Sequence, residues 1–121
     1  MLRDNAKFFR VRIEHVKSGD DLIGLVDLGV DSLHKQVRLR LRGVDAPNAH
    51  LASETTEAGK VRDFVRHHVM NRECTVQVHH MGKGGWVVTL FSKKTDGEVV
   101  NVNSLLVSEG YVYNPERAEN G

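Results

Sequence analysis

From Val37 to Arg42 the chain alternates with period two, setting Val37, Leu39 and Leu41 against Arg38, Arg40 and Arg42. A helix would turn Arg40 to the side opposite Arg38 and Arg42, whereas a strand puts every apolar side chain on one face and every cation on the other. A chain with such a segment must build a sheet that buries one face and leaves a cationic face to water or to an anionic partner. The same period recurs over 8–16, where Phe9, Val11 and Ile13 alternate with Arg10, Arg12 and Glu14. Leu22 to Leu28 reads as a second strand, joined to the first as a hairpin through the turn-forming run Ser18-Gly19-Asp20-Asp21. The arginine segment predicts a third strand over 36–44, after a loop at Gly29 to Ser32. Cys74, Val76 and Val78 alternate with Thr75, Gln77 and His79 as a fourth strand. The flexible turn Gly82-Lys83-Gly84-Gly85 leads into a fifth strand from Trp86 to Phe91, and Asp96-Gly97 marks another turn.

Two stretches depart from this period. Pro47 cannot continue a ladder and ends the third strand. Ser53-Glu54-Thr55-Thr56-Glu57 supplies hydroxyl caps and carboxylates for a helix start, and Ala58, Val61, Phe64, Val65, His68 and Val69 follow at helical spacing. Asn101 to Glu109 suits a short helix that Gly110 stops. The order of three strands, helix, two strands and helix suits an α+β, mainly β domain. The expected architecture over residues 6–113 is a five-stranded OB-fold β-barrel with two or three helices packed on it, followed by a polar C-terminal tail at 114–121. Another α+β sheet with helices on one face has the same periodicities.

A chain of 121 residues is one domain. Its single cysteine, Cys74, excludes an internal disulfide framework and a multi-cysteine zinc site. No apolar run is long enough for a membrane helix, and Met1-Leu2-Arg3-Asp4-Asn5 lacks the apolar stretch of a signal peptide, so a cytoplasmic protein with no membrane partner is expected. Formal net charge is +1, so any hold on nucleic acid must come from local clustering of cations.

The residues resemble a known family. Ser18-Gly19-Asp20-Asp21, Val26-Asp27-Leu28-Gly29 and Val37-Arg38-Leu39-Arg40-Leu41-Arg42-Gly43-Val44-Asp45-Ala46-Pro47 resemble the staphylococcal-nuclease-like (thermonuclease) family. Asp96-Gly97 and Val100-Asn101-Val102-Asn103-Ser104-Leu105-Leu106-Val107-Ser108-Glu109-Gly110 resemble its later signature. The similarity runs over 8–113 in the family's order and spacing, and is closest to the compact bacterial, plasmid and phage versions. It implies an OB barrel and, in intact members, calcium-dependent phosphodiester cleavage. It also implies that Asp20, Asp45 and the carbonyl of Ala46 fall on metal positions and Arg40 on the first catalytic arginine. Ser18 and Asp21 differ from the family's Asp-Gly-Asp-Thr motif. Asn48 stands where the family has its catalytic glutamate, and Gly85, with a one-residue gap, where it has its second arginine. Tyr111 and Tyr113 resemble the tyrosine pair that flanks a bound nucleotide.

Hydrolysis needs a proton acceptor for the attacking water and cations for the charge that develops on phosphorus oxygens. An amide such as Asn48 orients water but takes no proton. Absence of a positioned base alone costs about 10²–10⁴-fold. The expectation is therefore a catalytically degenerate domain that binds single-stranded DNA or RNA, or nucleotide phosphates, through Arg38, Arg40 and Arg42, with Lys83, Tyr111 and Tyr113 as further contacts. Arg10 and Arg12 would extend the cationic face. Two other readings stand beside it. One is a calcium-dependent nuclease with Glu54 or Glu57 as relocated base and Lys83 in place of the arginine. The other is a protein-interaction module without nucleic acid. Trp86 and Cys74 read as core. The pairs His67-His68 and His79-His80 read as ordinary residues, because neighbours on a helix or strand do not share a face.

Overall fold

The computed structural model describes residues 7–47 and 56–111. The strands are β1 (Lys7–Ser18), β2 (Asp21–Asp27), β3 (His34–Leu41), β4 (Cys74–Gly82), β5 (Gly85–Lys93) and β6 (Val99–Asn101). The helices are α1 (Glu57–Val69) and α2 (Val102–Ser108). Sheet order is β3-β2-β1-β4-β5-β6, and a parallel pairing of β3 with β5 closes the first five strands into a barrel. This is an OB-like α+β fold with one extra strand and two helices among the described residues.

Each of the first five strands contributes its apolar alternates to the interior. Val11, Ile13 and Val16 of β1, Leu22 and Val26 of β2, Val37, Leu39 and Leu41 of β3, Val76 of β4 and Trp86, Val88 and Leu90 of β5 are buried together. Trp86 is core as expected, its ring centroid 5.5 Å from that of Phe9. Thr56 caps α1 by accepting from the Gly59 N–H, and the helix buries Val61, Val65 and Val69. Cys74 is buried, and exclusion of solvent pushes its thiol up to about 11. Among the described residues no helix is long and apolar enough to cross a membrane.

Two boundaries differ from the expectation. The third strand stops at Leu41 rather than 44, because Gly43 at φ 77° turns the chain out of the sheet. The expected helix from Asn101 to Glu109 is α2, capped by Asn101, but the residues leading into it form a strand that was not expected, β6, whose three residues pair with Phe91, Ser92 and Lys93 of β5. Between them, Asn103 resolves the place where β5 changes partner from β3 to β6. Its side-chain oxygen accepts from the Leu90 N–H at 2.9 Å, and its amide donates to the carbonyls of Arg42 and Val88, each at 3.0 Å.

Candidate functional site

Four segments meet at one end of the barrel. Asp20 lies in the turn between β1 and β2. Its carbonyl accepts from the Leu41 N–H at 3.0 Å and its Oδ2 from the Ala46 N–H at 3.4 Å. Gly19 makes this meeting place narrow. A Cβ there would lie 2.5 Å from Val61 Cγ1 and 2.9 Å from Ala46 Cβ, so α1 and the 45–46 segment pack directly on the turn. Burial raises the Asp20 carboxyl above its ordinary value, against the opposing pull of the Ala46 N–H and the positive charge of Arg40. The Asp45 N–H donates to the Tyr111 carbonyl at 3.1 Å, and the Tyr111 hydroxyl donates to Glu57 Oε1 at 3.4 Å. Desolvation and the Glu57 charge raise the Tyr111 hydroxyl pKa. Asp20, in the β1–β2 turn, and the Asp45–Ala46 segment, which follows the turn at Arg42 and Gly43, are thus brought side by side.

The arginine face is not the uniform stripe expected from the strand alone. Hairpin register places Asp21 opposite Arg40 and Ile23 opposite Arg38. Asp21 receives a fork from Arg38, with Nε at 3.0 Å and Nη2 at 2.8 Å. That hydrogen-bonded carboxylate raises the Arg38 pKa and neutralises its charge. Arg42 lies beyond the strand, its Nη1 3.1 Å from His79 Nδ1, while His79 Nε2 is 2.7 Å from Thr89 Oγ1. With Arg42 donating, Nε2 carries the imidazole proton and donates to Thr89. Burial and the Arg42 charge lower the His79 pKa, which keeps the ring neutral and leaves the Arg42 charge uncancelled. Arg40 is exposed and, among the described residues, has no hydrogen bond or ion pair.

Arg10 and Arg12 do not extend this face. They lie on β1, separated from β3 by β2, and line a different groove. Lys83 occupies the turn between β4 and β5. Gly85, which the resemblance would set against a second arginine, is a backbone contact. Its φ is 133°, and a Cβ would come within 2.7 Å of the Arg38 carbonyl oxygen. The local fold demands glycine there, whatever the chemistry.

Asn48, Glu54 and Tyr113 lie outside the described residues. Asp20, Asp45 and the Ala46 carbonyl are hard oxygen donors of the kind calcium takes. Calcium takes about 6–8 such ligands. Among the described residues no group of three or more His, Cys, Asp or Glu side chains could hold a metal ion. The described donors therefore do not form a calcium cage on their own. In the histidine pairs, His68 Nδ1 lies 2.9 Å from the Phe64 carbonyl, and His79 is held by Arg42 and Thr89. The roles of Asp21, His79 and Thr89 do not follow from the sequence pattern read above. Counting register outward from the Gly19-Asp20 turn would find Asp21 beside the arginines, but nothing local marks the Arg42–His79 contact. No protein-family model matches the chain, and no curated protein matches it.

Proposed function

We propose that this domain binds single-stranded DNA or RNA through the phosphates, using the outer face of β3, and does not cleave it. The reading takes the chain as a staphylococcal-nuclease-like barrel that has kept a phosphate-binding arginine and no longer carries its base. The observation that carries it is Arg40. Its guanidinium is exposed and has no hydrogen bond or ion pair among the described residues, beside an Arg38 neutralised by Asp21 and an Arg42 held by a neutral imidazole. A planar fork of donors held on a rigid strand suits two phosphate oxygens. Tyr111 and Lys83 stand as further contacts for the strand. Calcium is not required for such binding.

The test is fluorescence anisotropy with a labelled oligothymidylate at several salt concentrations. Binding should weaken steeply with salt, and Arg40→Ala should reduce affinity about tenfold or more, as expected when a charged hydrogen bond to phosphate is removed. On a single strand the salt slope should fall by about 0.7 for each phosphate that is no longer neutralised. Flat, negligible binding would favour a protein-interaction module.

One observation favours a second reading, a calcium-dependent nuclease with a relocated base. Tyr111 connects the Glu57 carboxylate, through its own backbone, to Asp45. Incubation of single-stranded DNA and RNA with calcium separates the two. Cleavage by the wild-type protein that Asp45→Asn and Glu57→Gln abolish would establish the nuclease and overturn the binding-only reading.

A further inference from the structure

A cavity of about 770 Å³ opens on another part of the barrel surface. It falls within the roughly 300–1,000 Å³ range of ligand pockets. Arg10, Arg12, Arg72, Lys93, Thr75 and Phe91 carry its chemistry. Register sets Arg10 opposite Thr75 and Thr75 opposite Phe91, one lateral row across β1, β4 and β5. Arg12 stands 4.0 Å from Glu14, and Lys93 stands 3.8 Å from Glu73. Asp27, also in the lining, is occupied by the Gly29 N–H. Arg10 and Arg72 have no hydrogen bond or ion pair among the described residues. Phe91 points outward, because its neighbours Leu90 and Ser92 are buried, and it makes no ring contact among the described residues. An outward aromatic ring among cations is what a stacked base and its phosphates require.

The outer face of β5 joins this groove to the arginine site. Val87 lies opposite Arg40, Thr89 hydrogen-bonds His79 beside Arg42, and Phe91 lies in the groove. Alternate residues on a strand share a face. Val87 and Phe91 are separated by about 13 Å along the strand. We propose that a single nucleic-acid strand runs along this face, from Arg40 past Arg42 into the groove, where a base stacks on Phe91 and phosphates meet Arg10 and Arg72. This rests on the binding function proposed above and adds to it a second contact region with a base-recognising element.

The test compares fluorescein-labelled thymidylate dimers and octamers, with inorganic polyphosphate as a competitor that has no bases. Phe91→Ala should weaken octamer binding about fivefold or more. It should leave dimer binding at the Arg40 end, and competition by polyphosphate, unchanged. The double charge reversal Arg10→Glu, Arg72→Glu should weaken octamer and polyphosphate binding together, and it tests the groove without touching Phe91. Thermal melts confirm that each variant is folded. If octamer affinity is insensitive to both changes while Arg40→Ala still lowers it, the groove is not part of the path and the function proposed above survives. If Phe91→Ala lowers octamer and polyphosphate binding equally, base stacking is refuted. If the wild-type protein binds neither oligomer, both proposals fail.

Discussion

Asn103 offers a test of the framework that carries the site. Replacing it by leucine keeps its approximate volume and removes three hydrogen bonds, two buried and one part-buried, at 2.9, 3.0 and 3.0 Å. The consequences at the three partners differ. The Val88 carbonyl keeps a partner, since the Arg42 N–H also donates to it at 2.9 Å. The Arg42 carbonyl sits toward the surface and can turn to water. The Leu90 N–H has no such recourse, because Leu90 is 0% exposed. An orphaned buried donor costs about 1–3 kcal/mol, and removing an ordinary hydrogen bond costs roughly 1 kcal/mol. Asn103→Leu should therefore destabilise the domain by about 3 kcal/mol. Urea unfolding followed by circular dichroism reads this as a midpoint lowered by roughly 1–3 M. Asn101→Ala is the internal control. It removes only the α2 cap, where the Asn101 side chain accepts from the Ser104 N–H at 3.0 Å, and should cost about 1 kcal/mol. A leucine variant within about 0.5 kcal/mol of wild type would refute the view that Asn103 holds the junction of β3, β5 and β6.

Three other outcomes are expected. Burial raises the Asp20 pKa, so between its unfolded and folded values the native state holds more protons, and stability falls as pH rises through that window. Asp20→Asn should consequently raise Tm at neutral pH, which a pair of thermal melts at pH 7 checks. The His79 pKa is lowered, so the unfolded chain binds more protons below about pH 6.5, and stability should decline as pH falls from there toward the depressed folded value. In His79→Gln that segment of the stability profile should flatten. Gly85→Arg, which introduces the arginine that the resemblance would set there, should cost roughly 2–4 kcal/mol in urea unfolding and gain no cleavage activity, because its Cβ must enter the Arg38 carbonyl.

The barrel was legible because its instructions are local and periodic. Alternation at Val37–Arg42 and Phe9–Glu14 fixes which face is buried, and a hairpin of one turn fixes the neighbour. What escaped was set by contacts distant in sequence. The strand Val99–Asn101 is too short to show a period, and it exists because β3 leaves the edge of β5 free beyond Val88. Within the site, Asp20, Asp45, Ala46 and Arg40 were singled out from the resemblance; the structure packs the Ala46 segment on the Gly19 turn beside Asp20 and sets Arg40 opposite Asp21. The arginine stripe was misread because charge on one strand says nothing of the strand beside it. Asp21 neutralises Arg38 from across the hairpin, and β1 carries Arg10 and Arg12 around the barrel to a different groove. Gly85 looked like a missing functional group, whereas its positive φ and its close approach to Arg38 make it a requirement of barrel closure.

The most direct measurement is a titration of ¹⁵N-labelled protein with a thymidylate octamer in calcium-containing buffer, following amide and arginine side-chain resonances and then sizing the oligonucleotide. Saturable shifts at Arg40, Arg42, Val87 and Thr89, with the octamer recovered intact, are the expected result. Saturation that leaves those resonances unmoved, or recovery of shortened DNA in place of the octamer, would contradict a binding face built on Arg40.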